Sequence, residues 1–71
     1  MDIKAHITGT VWKVEVEPGE SVEEGDIIMI LESMKMEMPI EAPIDGKILK
    51  ILVAPNEPVK EDQVVAIMEE D

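Results

Sequence analysis

One pattern is written twice in this chain, and the repetition limits the possible folds more sharply than composition does. Adding 37 to each position from Ala5 to Glu32 lays that stretch on Ala42 to Glu69. Ala5, Ile7, Gly9 and Lys13 then fall on Ala42, Ile44, Gly46 and Lys50. Pro18, Glu20, Val22 and Glu24 fall on Pro55, Glu57, Val59 and Glu61, and Ile30 and Glu32 on Ile67 and Glu69. The apolar positions Val11, Val14 and Val16 meet Ile48, Ile51 and Val53, in register and without a gap. In a chain of 71 residues neither copy is large enough to hold a core alone. Residues 1–71 therefore read as one domain, with repeats 5–32 and 42–69 burying each other's apolar faces.

Each copy carries strand signals and none carries a helical period. Thr10–Val16 and Lys47–Val53 are rich in β-branched residues, and each follows a glycine turn. Pro18-Gly19 suits a tight turn with proline second and a left-handed glycine third, and the copy substitutes Pro55-Asn56. Gly25-Asp26 also reads as a turn, whereas its copy, Asp62-Gln63, is a less comfortable pair for one. The pattern predicts about eight short strands, four per copy. The expected fold is all-β: two four-stranded antiparallel sheets related by a pseudo-twofold axis, closed as a flattened barrel or barrel-sandwich hybrid. Between the copies, Ile27–Met34 runs into Met36–Ala42 with almost no connection, which puts Lys35 at the tip of a tight hairpin. Pro39 in the second arm assigns that arm to a sheet edge, where no ladder donor is needed.

Charge narrows the function. Seventeen acidic residues against six basic ones give a formal net charge of -11. Such a field is wrong for nucleic acid and for anionic membrane surfaces, so neither is an expected partner. With no cysteine there is no disulfide, thiolate metal site or redox dithiol. No apolar run approaches the ~18 residues of a membrane span, and there is no signal-peptide layout. The chain reads as a soluble cytoplasmic protein. No nucleophile triad, paired catalytic carboxylates or phosphate-cradling glycine loop can be assembled, so an independent enzyme is not expected.

The run Leu31-Glu32-Ser33-Met34-Lys35-Met36-Glu37, followed by Ile40-Glu41-Ala42-Pro43-Ile44-Asp45-Gly46-Lys47-Ile48, resembles the biotinyl domain of biotin-dependent carboxylases. Gly9-Thr10-Val11-Trp12-Lys13-Val14, Pro18-Gly19-Glu20 and Glu24-Gly25-Asp26 extend the likeness over essentially the whole chain. It is most similar to short free-standing biotin/lipoyl attachment proteins. The resemblance implies that Lys35 takes covalent biotin from biotin protein ligase, with Glu32, Ser33, Met34 and Met36 as the context the ligase recognises. It further implies that biotin carries a carboxyl group between biotin carboxylase and carboxyltransferase sites, on a carrier that is monomeric in isolation. Ser33 departs from the alanine usual in the family. No insertion is long enough for the protruding thumb of some bacterial carriers.

Two other functions share this fold. Lipoyl carriers usually place Asp before the lysine and Ala after it, unlike Met34 and Met36. Unmodified β-sandwich interaction modules have no reason to keep the lysine context. A lysine amine is protonated at neutral pH as a class, and no general base is evident here, so deprotonation falls to the ligase. Met34, Met36 and Met38 alternate and are expected on one strand face. Such thioethers are also ligands that Cu(I) accepts, but packing or lining a docking surface is the simpler role, and no metal is expected. Met29, Met68 and Trp12 read as packing residues, and His6 as a surface or strand-edge residue without partners.

Overall fold

Alternation of apolar and polar residues sends one face of each strand inward, and a computed structural model describes the result for residues 1–71. Eight strands form in chain order: β1 (Asp2–Lys4), β2 (Gly9–Val14), β3 (Ser21–Val22), β4 (Ile27–Ser33), β5 (Met36–Glu41), β6 (Gly46–Ile51), β7 (Pro58–Val59) and β8 (Val64–Glu70). No helix forms. One sheet has the order β1-β8-β6-β3 and the other β5-β4-β2-β7, with every pairing antiparallel. The all-β architecture of two four-stranded sheets is thus as expected.

The sheets do not coincide with the two halves of the sequence. Each takes its two inner strands from one half and both edge strands from the other. In the first sheet β1 and β3 flank β8 and β6, and in the second β5 and β7 flank β4 and β2. Moving each strand 37 residues along converts one order into the other. The copies interlock by exchanging edge strands, a stronger arrangement than two sheets stacked face to face, because main-chain ladders cross between the halves as well as apolar contacts.

Sixteen buried apolar side chains form the core, with Val11, Ile28, Met29, Leu31, Ile48, Val65 and Met68 sealed from solvent. No polar side chain is buried. The positions of Met29 and Met68 agree with the sequence reading. Trp12 does not: it stands 40% exposed, and Lys13 Nζ lies 4.7 Å from the centre of its ring. The cause is a β-bulge. The β2–β4 register jumps between Val11 and Lys13 and the β6–β8 register between Ile48 and Lys50, leaving Trp12 and its counterpart Leu49 outside the ladder. Val11 and Ile48 then fill the inward positions. A second pair of register shifts, at Ile27–Met29 and at Ile3–Lys4, also recurs in both sheets.

The turns repeat in the same manner. Glu20 N–H donates to the Glu17 carbonyl at 3.1 Å across Pro18-Gly19, and Glu57 N–H to the Ala54 carbonyl at 3.1 Å across Pro55-Asn56. Gly19 (φ 93°) and Asn56 (φ 74°) are both left-handed, as that turn type requires. Asp62 (φ 70°) adopts the conformation of Gly25 (φ 92°), so the less favourable sequence still makes the same turn. In all four turns the last residue's side chain accepts the first residue's N–H: Glu20 from Glu17, Glu57 from Ala54, Asp26 from Glu23 and Gln63 from Lys60. That local bond explains how Asp62-Gln63 substitutes for Gly25-Asp26.

Candidate functional site

β4 and β5 pair from Ile27↔Glu41 to Ser33↔Met36, leaving Met34 and Lys35 as a two-residue turn. The strands end one residue earlier than the sequence suggests, so Met34 belongs to the turn and not to β4. Both turn residues are left-handed, Met34 at φ 52° and Lys35 at φ 67°. Two consecutive positive φ values define the turn whose twist matches that of paired strands, and its usual occupants are Asn-Gly. An L residue with a Cβ costs roughly 1–2 kcal/mol in this region. The hairpin accepts that strain at its tip, where the ladder below over-determines the geometry.

The strained turn leaves Lys35 exposed between two exposed thioethers, with Met34 92% and Met36 61% accessible. Met34 and Met36 are the two most exposed large apolar side chains of the chain, ahead of Met1, Leu52, Leu49, Ile27 and Trp12, and such exposure on both flanks of the lysine marks a contact surface. Met34, Met36 and Met38 line one shallow concavity with Ile7 and Ser33, so the three methionines do share a face, although Met34 reaches it from the turn. Ser33 is half-buried at the end of β4. Glu32 lies opposite Glu37 one rung below the turn, with Thr10 on its other side. Facing like charges are unfavourable by about 0.2–1 kcal/mol. They give the tip an acidic base, and nothing in the pairing relieves it. The sequence-identified residues Glu32, Ser33, Met34, Lys35 and Met36 are therefore together at one end of the molecule.

Support comes from both directions along the hairpin. β5 is an edge strand, and Pro39 sits in it opposite Ile30, as its missing N–H requires. At the far end of the hairpin, Ala42 N–H donates to the Asp26 carbonyl at 2.8 Å and Gly25 N–H to the Ala42 carbonyl at 2.9 Å. Glu24 N–H donates to Asp45 Oδ1 at 2.8 Å, and Asp71 N–H to the Asp45 carbonyl at 3.2 Å. Asp71 and the start of β6 thus lie a full hairpin length away from Lys35. Gly9 and Gly46, read from the sequence as turn glycines, are instead the first residues of β2 and β6, and Gly9 runs directly against Glu32 and Ser33. Its signal was its recurrence as Gly46.

His6, with Met1, Lys4 and Glu41, lines an open groove between β1 and β5, away from the tip. No group of three or more His, Cys, Asp or Glu side chains is placed to hold a metal ion. The residues at the tip do fit a covalent acyl group: the requirement is an accessible primary amine on a defined support, and Lys35 supplies it. No helix is long and apolar enough to cross a membrane.

The family model described as "Biotin-requiring enzyme" matches residues 1–68. The biotin/lipoyl attachment protein of Bacillus subtilis is 48% identical over 40 residues, which are 56% of this chain and 55% of that protein. The biotinylated protein TB7.3 of Mycobacterium tuberculosis is 44% identical over 39 residues, 55% of each chain. The matches thus span about half the length of these relatives. In the crystal structure of Kluyveromyces lactis urea carboxylase, a segment amounting to 6% of that chain superposes on 97% of this one, with TM-score 0.92 and 35% identity. Fold, tip and sequence agree, and the chain belongs to the biotin-requiring enzyme family as a biotinyl domain.

Proposed function

We propose that residues 1–71 form a single biotin carboxyl carrier domain, built from repeats 5–32 and 42–69, and that Lys35 is the residue biotinylated by biotin protein ligase. The observation that carries this reading is a lysine held at a two-residue hairpin tip between exposed methionines, on the fold of a biotin-requiring family. The chain's residues bind and present; none catalyses. Lys35 offers the amine that becomes an amide, and the ligase removes its proton. Met34 and Met36 supply soft apolar contact on either side, and Glu32 and Ser33 the polar edge that the ligase reads. Bound biotin supplies a ureido nitrogen that carries a carboxyl group between biotin carboxylase and carboxyltransferase sites, on separate subunits or domains.

Acylation removes the lysine charge and leaves Glu32 and Glu37 without it, so the modified tip is more acidic than the free one. The proposed site of ligation is the cytoplasm, where the ATP that the reaction consumes is available. The net charge of -11 keeps copies apart, consistent with a monomer. Incubation of the chain with biotin, ATP and a bacterial biotin ligase, followed by intact-mass measurement, tests the reading. One biotinyl-sized gain is expected, absent from Lys35→Ala. A gain that survives in Lys35→Ala would rule out Lys35 as the attachment point. No gain with biotin ligase, but a lipoyl-sized gain with a lipoate ligase, would make the chain a lipoyl carrier.

A further inference from the structure

We propose that Gly9 is the positioning residue for the Lys35 tip: its missing side chain lets the end of β4 settle on β2 at the height that presents the lysine to its acylating enzyme. The inference rests on Lys35 being the acylated residue. A Cβ placed on Gly9 would lie 2.6 Å from the carbonyl oxygen of Glu32 and 3.3 Å from the Cβ of Ser33. Those two residues are the last of β4, and the turn follows them directly. The obstructing oxygen is main chain, so it cannot rotate out of the way as a side chain would. Gly9 is itself paired to Val59 of β7 and cannot easily retreat. The conflict must therefore be relieved by lifting the end of β4, and the Met34–Lys35 turn moves with it. Group transfer depends on placement within a fraction of an ångström, so a displaced amine is acylated slowly even in a folded domain.

The pseudo-symmetry of the fold supplies a control. Gly46 occupies the same position in the other repeat, where a Cβ would meet the carbonyl oxygen of Glu69 and, at 2.9 Å, the terminal carbon of Met68. Gly46 pairs with Glu70 at the end of the molecule beside Asp71, remote from Lys35. The two alanine substitutions thus press a strand end away in the same manner, and only one of those strand ends carries the lysine. A purely structural role predicts that both weaken the fold and that neither changes acylation of the folded protein.

The experiment compares the full chain, Gly9→Ala and Gly46→Ala as substrates of a bacterial biotin ligase with biotin and ATP. Initial rates are read by intact mass in trimethylamine N-oxide, which favours the folded state, with folding checked by amide NMR spectra. Both variants should show a lower urea midpoint in the absence of the osmolyte. Gly46→Ala should be acylated at the rate of the parent chain. Gly9→Ala should lose about tenfold or more in kcat/KM, with amide shifts concentrated at Ser33–Met36. Equal rates for Gly9→Ala and the parent overturn the proposal, as does an equal loss in Gly46→Ala. Failure of Gly9→Ala to fold even in the osmolyte also overturns it, by making Gly9 structural. If the parent chain gains no mass, the assignment of Lys35 fails, and that result is distinct from any difference between the variants.

Discussion

At the scale of single residues, the tip is where local preference and the fold disagree. Met34 and Lys35 are ordinary strand or helix residues by composition, yet both adopt left-handed backbone. Asparagine tolerates that region far better than methionine. Met34→Asn should therefore raise stability by about 1 kcal/mol, read as a higher urea midpoint with an unchanged slope. A lower midpoint would show that the Met34 side chain contributes more by packing over Ile7 and Met38 than the turn costs. Lysine at the tip and methionine on both sides were legible from the sequence. The strain was not, because neither residue announces positive φ as glycine does. Trp12 shows the opposite failure: a large aromatic suggests a core, but a one-residue bulge turns it outward.

At the scale of elements, hairpin β4–β5 is a supported arm with a less supported end. Its base is fixed by main-chain bonds to Gly25, Asp26 and Ala42, and its middle by pairing to β2. The turn itself lies beyond the last rung, Ser33↔Met36. Amide hydrogens of Met34–Met36 should exchange at least tenfold faster than those of Ile28–Leu31, which open only with larger units of structure. Equal protection in the two segments would mean the tip is covered. Strand identity and the edge position of β5 followed from alternation and from Pro39. Strand ends moved by one to two residues because bulges and turns, set by partners far along the chain, decide where the ladder stops. The turn at Asp62-Gln63 looked weak in sequence because the bond that Lys60 N–H donates to the Gln63 side chain is a product of the folded turn.

At the scale of the whole molecule, stability comes from strands exchanged between the copies, and it is opposed by charge. Seventeen acidic groups on a chain of 71 residues repel one another more strongly in the compact state than in the unfolded one. Raising sodium chloride from about 10 mM to about 500 mM shortens the screening length from roughly 30 Å to a few ångströms. The melting temperature should rise by a few degrees over that range; a fall would show that attractive pairs outweigh the net repulsion. Repetition at a fixed spacing, alternation of apolar residues and the lysine at the seam sufficed to indicate an all-β fold with a presented lysine, since each is written in the linear order of residues and needs no knowledge of which strands pair. Pairing of the sequence copies across the sheets, the outward turn of Trp12, the left-handed tip and the close approach at Gly9 emerged only on folding. Each depends on the strands paired around it, most of them distant in sequence, and no local preference encodes where those partners will lie.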